Sequence, residues 1–298
     1  MSLFALIDSS PRLSASIFRA LQLALLVLCV AAADSISAPQ SLTLWNRNFD
    51  TAPVDQVVAL ALQKTEDLYF TTQLIKSQPM EQDQAIEDML HGSTLDLMSA
   101  ASSDLYDSQF LTLRFPILKG LLGKRLCLIR AGDQQRFDHI KTAYDISRSK
   151  LKICQGKHWP DTEILRRNGL PLVTSDHYEE LFTLLTNGQC DCFLRGAQEI
   201  GAELKVHEPV LALEKKLVIE YLQPGVVYVR KNNPELAIRI ELGLLRAFED
   251  GSYHKLISQL LDENLSMLGL EQRRVITINN PSPSETLQKI DRIRAFDL

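Results

Sequence analysis

The sequence predicts an α/β protein of two lobes, with two hinge crossings and a central cleft. Three observations predict it. From Leu42 to Met98, short apolar runs rich in β-formers alternate with runs of helical spacing in the order β-α-β-α-β, the pattern of a parallel sheet with crossover helices. From Asp133 the alternation starts again and builds a second unit of the same kind. The last third holds strands and helices without a sheet of its own, so the simplest packing returns it to the first lobe. The chain then crosses between lobes near 124–130 and 217–229, and two crossings make a hinge that closes on a ligand.

The elements follow in order. Leu42 to Trp45 reads as a strand and VDQVVALALQKTEDL, after Pro53, as an amphipathic helix. Leu68 to Ile75 is a second strand. Met80 to Leu90 is a helix with Ala85, Ile86, Met89 and Leu90 inward, stopped at His91-Gly92. Leu95 to Met98 is the third strand, and Phe110 to Leu118 and Arg125 to Arg130 are two more. Asp133 to Thr142 reads as a helix, Leu151 to Cys154 as a strand and Asp161 to Asn168 as a helix capped by Asp161. Leu170 to Thr174 is a strand, and a helix capped by Ser175 or Asp176 runs to Leu185. Cys190 to Leu194 is a strand with a helix behind it to about Ala202. Leu217 to Tyr221 and Val226 to Arg230 flank a Gln-Pro-Gly turn, helices span Pro234 to Glu249 and Tyr253 to Leu261, and Arg274 to Ile278 is a last strand.

Composition bounds the function. The 298 residues are 45% hydrophobic and 23% charged, enough for two lobes with separate cores. A net charge of -5 without a basic stripe argues against nucleic-acid binding. Arg12 and Arg19 precede the apolar run Ala20 to Ala33, which is shorter than the roughly 20 residues of a spanning helix and reads as a secretory signal, residues 1–33. Ala31 and Ala33 fit the small-x-small cleavage rule, with Asp34 as the new first residue, and Leu28 before Cys29 argues against a lipoprotein box. Export places Cys127, Cys154, Cys190 and Cys192 in an oxidising compartment. They read either as small buried hydrophobes or as a disulfide partner set, with Cys190 and Cys192 on one strand face and Cys154 on a neighbouring strand. No CxxC pair or HxxxH helix points to a metal.

Four phrases carry a resemblance. They are AIEDMLHGSTLDLM, LTLRFPILKGLLGKRLCLI, YEELFTLLTNGQCDCFL and VVYVRKNNPELAIRIELGLLRAFEDGSYHKLI. In this order, behind a signal peptide, they resemble the bacterial extracellular solute-binding proteins of the type 2 periplasmic-binding fold, in particular family 3, the polar amino-acid binders. The resemblance implies a discontinuous first lobe, 34–128 plus 223–298, and a second lobe, 129–222. It implies a monomer in the periplasm that captures a small polar or anionic solute for an ABC-type transporter of the inner membrane. A sensing module that docks on a membrane receptor, and a periplasmic enzyme, are the alternatives. The family's arginine beyond the third strand is missing from Ser99–Ser108, and Arg195 stands nearest the position of its second-lobe acid. The usual α-amino-acid signature is therefore absent, and this branch is divergent.

Ligands in open parallel sheets bind at the carboxyl ends of the strands. That rule selects Asn46 and Arg47, Ser99, Ser102 and Ser103, Gln155 to Trp159, and Arg195. In Gln155-Gly-Lys-His-Trp-Pro-Asp161 the glycine permits close approach, Lys157 and His158 supply charge, a helix N-terminus supplies amides and Trp159 supplies a wall. Arg195 suits a carboxylate or phosphate, or a salt bridge to Glu199 one turn on. The candidate binding set is Arg47, Ser99, Ser102, Ser103, Lys157, His158, Trp159 and Arg195, with no catalytic residue, metal or cofactor. Neither a G-x-S-x-G elbow nor an H-E-x-x-H helix, a P-loop or a dinucleotide turn occurs.

Overall fold

The computed structural model describes residues 40–50 and 52–281. The expected signal peptide, residues 1–33, its cleavage after Ala33, and the tail 282–298 lie outside the described residues. The first sheet and its helices come from β1 (Gln40–Leu44), α1 (Arg47–Asp50), α2 (Val54–Gln63), β2 (Thr72–Lys76), α3 (Gln82–His91), β3 (Leu97–Ala101), α4 (Asp104–Gln109) and β4 (Leu111–Leu113). The second is built by β5 (Lys124–Arg130), α5 (Ala143–Ser149), β6 (Ile153–Gly156), α6 (Pro160–Arg167), β7 (Leu172–Ser175), α7 (Tyr178–Thr186), β8 (Cys192–Gly196), α8 (Ile200–His207), β9 (Leu211–Leu213) and β10 (Leu217–Glu220). The chain then forms β11 (Gly225–Val229), α9 (Pro234–Glu249), α10 (Ser252–Leu268) and β12 (Arg274–Thr277).

The first sheet has the order β2-β1-β3-β11-β4, and the second β12-β10-β5-β8-β6-β7 with β9 also on β5. β1 runs parallel to β2 and β3, as the β-α-β-α-β reading requires, and β11 returns antiparallel between β3 and β4. In the second sheet β8, β6 and β7 are parallel. The two crossing strands meet: β10 pairs antiparallel with β5, Ile219 opposite Arg125 and Glu220 opposite Lys124.

Helical periodicity explains which faces are buried. Val54, Val57, Val58, Ala61 and Leu62 form the inner stripe of α2. It meets α9, where a Cβ on Gly243 would lie 2.0 Å from the Ala61 carbonyl oxygen, so only glycine allows the two backbones this close. Phe193 of β8 lies between Trp159 and Phe182.

Two disulfides staple the middle of the second sheet. Cys127 of β5 joins Cys192 of β8 with a Cα–Cα distance of 5.1 Å, and Cys154 of β6 joins Cys190 with 5.7 Å. They lie on opposite faces, the first among Ile129, Ile153 and Leu194, the second among Leu181, Leu185 and Phe193. Cys154 does approach Cys190 as expected, but Cys190 and Cys192 do not share a face: Cys190 precedes β8 and packs on one side of the sheet, and Cys192 pairs with Cys127 on the other.

Several elements differ from the sequence reading. Phe110 to Leu118 is a strand only over Leu111–Leu113, because Pro116 lacks an N–H and the chain turns through left-handed Lys119 (φ 53) and Gly120 (φ 69). The helix expected from Asp133 is a 3₁₀ turn, Asp133–Phe137, and the α-helix starts later. There Thr142 Oγ1 accepts from Asp145 N at 3.3 Å and Thr142 N donates to Asp145 at 2.9 Å, a reciprocal cap. The assignment of all of 223–298 to the first lobe fails for β12. Val275 pairs with Val218 and Ile276 with Ile219 in the second sheet, because Ile276 fills the core beside Leu217 and Tyr221. A third connection between the sheets thus joins the two expected.

Candidate functional site

The carboxyl ends of β3 and β8 and the two sheet-to-sheet crossings surround a cavity of about 90 Å³. The first lobe supplies Trp45, Arg47 and Ser99, and the second Arg125, Trp159 and Arg195. Four of the eight expected residues, Arg47, Ser99, Trp159 and Arg195, therefore meet at one cavity.

The other four do different work. Ser103 Oγ caps α4, accepting from Tyr106 N at 3.2 Å. Ser102 is held by its backbone at the second crossing: its N donates to Pro224 O at 3.0 Å and its O accepts from Gln223 Nε2 at 2.7 Å. Lys157 Nζ lies 3.1 Å and His158 Nε2 2.8 Å from Asp176, whose carboxyl the lysine and the histidine hold below its ordinary range. Lys157 and His158 line a smaller crevice between α3 and α7 rather than the cavity. Gly156 also has another reason to be glycine. A Cβ there would meet the Trp159 indole at 2.4 Å, so the close approach is made by the loop's own tryptophan. Asn46 is likewise structural: its Oδ1 accepts from Met80 N at 3.1 Å.

Arg195 is clamped from its own lobe. It is 4% exposed. Its Nε donates to both oxygens of Glu203 at 2.8 and 2.9 Å, and its Nη2 lies 3.2 Å from Glu199 and 2.7 Å from Glu203. Its guanidinium carbon is 4.8 Å from the Trp159 ring and 5.4 Å from that of Tyr178. The salt-bridge alternative for Arg195 is thus present, and stronger than expected because Glu203 joins Glu199. Burial pushes the Glu199 carboxyl up; Arg195 opposes this and Glu203 adds to it.

Sequence reading missed a second charged centre. Arg125, 2% exposed, pairs with Asp161, which also accepts from the Tyr221 hydroxyl. Burial works against the Arg125 charge, and Asp161 with Tyr221 more than offsets it, holding the guanidinium above its ordinary value. The sequence suggests Asp161 as a helix cap, but the cap position of α6 is Trp159. Asp161 lies on the inner stripe of α6 with Ile164 and Leu165, and that periodicity was its signal. Glu203 stands one turn from buried Ile200 on α8 in the same way.

The lobes touch across the lip. Glu81, at the start of α3, accepts from Tyr178 N at 3.2 Å at the first turn of α7. Its other oxygen lies 3.4 Å from Arg47 Nη2, and Arg47 sits 3.5 Å over the Tyr178 ring. A carboxylate at a helix N-terminus, with a cation on the adjoining ring, latches the cleft shut. Glu81→Ala is expected to weaken closure by about 1 kcal/mol, a roughly fivefold shift toward the open form. Small-angle scattering should show a larger radius of gyration; an unchanged radius would rule out the latch.

No protein-family model matches this chain, and no curated protein does either. Solved structures do match. An ancestral arginine-binding protein bound to arginine is 16% identical with a TM-score of 0.56, over 74% of this chain and 98% of that one. This is the two-lobe, type 2 solute-binding-protein fold. An amino acid ABC transporter substrate-binding protein of Streptococcus pneumoniae bound to L-arginine matches at 19% identity and TM-score 0.56, over 76% of this chain and 96% of that one. The ancestral amino-acid-binding protein AncCDT-1, a precursor of cyclohexadienyl dehydratase, matches at 13% and 0.53, over 74% and 94%. Likeness at such low identity establishes the solute-binding fold and leaves the ligand to the side chains of this cleft.

Proposed function

We propose that this protein captures a small polar solute between its two lobes and, after export to the periplasm, delivers it to an ABC-type transporter of the inner membrane. The observation that carries the proposal is the cavity itself, walled from both lobes by Trp45, Ser99, Trp159 and the arginine clusters. The lobes we assign are 40–113 with 225–268, and 124–222 with 274–278. Two disulfides support an oxidising compartment. Among the described residues no helix is long and apolar enough to cross a membrane, and no cluster of His, Cys, Asp or Glu could hold a metal. The solved neighbours are mostly named for binding rather than catalysis, and this reading assigns the cleft no reaction.

The test is a thermal-shift panel of amino acids, organic acids, sugars and amides on the exported form. A solute at 100 times its Kd adds about 2.7 kcal/mol. At about 2–4 °C per kcal/mol that raises Tm by roughly 5–11 °C. No shift across the panel would overturn solute capture, and turnover of the stabilising compound would make the protein an enzyme.

A further inference from the structure

Each arginine on the cavity wall already faces a carboxylate. Arg47 lies 3.4 Å from Glu81, Arg125 is paired with Asp161, and Arg195 is held by Glu203 and Glu199. Three guanidiniums thus stand against four carboxylates, leaving one negative charge in excess. An anionic solute would enter a wall whose positive charge is spent and whose surplus is of its own sign. Burial pushes the Glu199 carboxyl up, against Arg195 and with Glu203, so what is left over on this wall is at most that one negative charge and never a free positive one.

Two wall atoms have no hydrogen-bond partner among the described residues. Arg125 Nε–H is a buried donor and Gln198 Oε1 a buried acceptor, and both residues line the cavity. Neither atom is open to water as the cleft stands, so a solute meets them only where the side chains of the wall yield around it. The opposing tryptophans Trp45 and Trp159 add apolar walls. One donor, one acceptor and apolar walls suit a small uncharged molecule with both hydrogen-bonding functions.

We propose, building on the solute-capture reading, that the cleft selects an uncharged amide-like solute and rejects solutes bearing a free carboxylate. A carbonyl oxygen of the solute accepts from Arg125 Nε–H, and its N–H donates to Gln198 Oε1. This separates the cleft from sites in which a free arginine grips a carboxylate.

Matched pairs that differ only in the charged group test this by calorimetric titration of the exported form: propionamide against propionate, lactamide against lactate, and succinamide against succinate. The amide is expected to bind at least tenfold tighter than its acid, with an affinity that does not change between low and high salt. Equal or tighter binding of the acids would overturn the selectivity and leave solute capture standing. No binding by any member would overturn the amide selectivity, while solute capture falls only if the wider thermal-shift panel is also silent. Glu203→Gln tests the cause, because it releases Arg195: acid binding should rise at least tenfold. If that variant does not fold, Glu199→Gln removes the surplus charge and keeps Glu203 on Arg195, with the same rise expected. A folded variant with unchanged acid affinity would overturn the charge argument.

Discussion

Asp161→Ala is expected to destabilise the protein by about 3–5 kcal/mol, the cost of leaving a buried arginine without its partner. Arg125 comes from β5, Asp161 from α6 and Tyr221 from the second crossing, so one carboxylate ties three elements at the hinge. Removing it strands the Arg125 charge and the Tyr221 hydroxyl in a space with almost no access to water. The midpoint of thermal unfolding should fall by roughly 6–20 °C, from about 2–4 °C per kcal/mol in a domain of this size. Replacing both members, Arg125→Met with Asp161→Leu, should recover most of the loss, because a buried pair is worth little against well-packed apolar side chains. A loss under about 1 kcal/mol in Asp161→Ala, measured in urea, would show that the pair is not buried in solution.

Reduction should have a comparable effect. The two disulfides span 65 and 36 residues of sequence. Chain entropy alone assigns each about 4 kcal/mol, and native bonds in proteins typically contribute about 2–5. The bonds are nested, since the 154–190 loop lies inside the 127–192 loop, so their joint loss should fall short of the sum. They fasten β5, β8 and β6 through both faces of the second sheet, and β8 ends at Gly196, beside Arg195. Loss of either bond should therefore also loosen the cleft wall. Urea unfolding with and without a thiol reductant, and of Cys127→Ala/Cys192→Ala, checks this. An unchanged midpoint, or four titratable thiols in the exported protein, would contradict it.

Most strands, and their order along the chain, are legible because a period of two, or a short continuous apolar run, survives most tertiary contexts. The two crossings followed from counting alternations. What escaped was local and polar. The helix Asp104–Gln109 is too short to show a stripe, and β9 is three residues hung on β5. The site was half legible for the same reason. Strand ends located Arg47, Ser99, Trp159 and Arg195. Which charge meets which is decided by distant partners, such as Glu81 to Tyr178 or Arg125 to Asp161. Lys157 and His158 looked like ligand cations because their sequence neighbourhood is basic, yet Asp176 takes both. An acidic residue on the inner stripe of a helix, as at Asp161 and Glu203, is the signal that the paired arginines leave in a sequence.

The chain contains two tryptophans, and both line the cavity, Trp45 from the first lobe and Trp159 from the second. Tryptophan emission therefore reports the cleft and little else. Titrating the exported protein with the solute that most raises its Tm should give a saturable change in emission at one solute per chain, reduced but still saturable in Trp159→Phe. A solute that stabilises the protein while leaving emission unchanged would bind elsewhere, and capture between the lobes would be wrong.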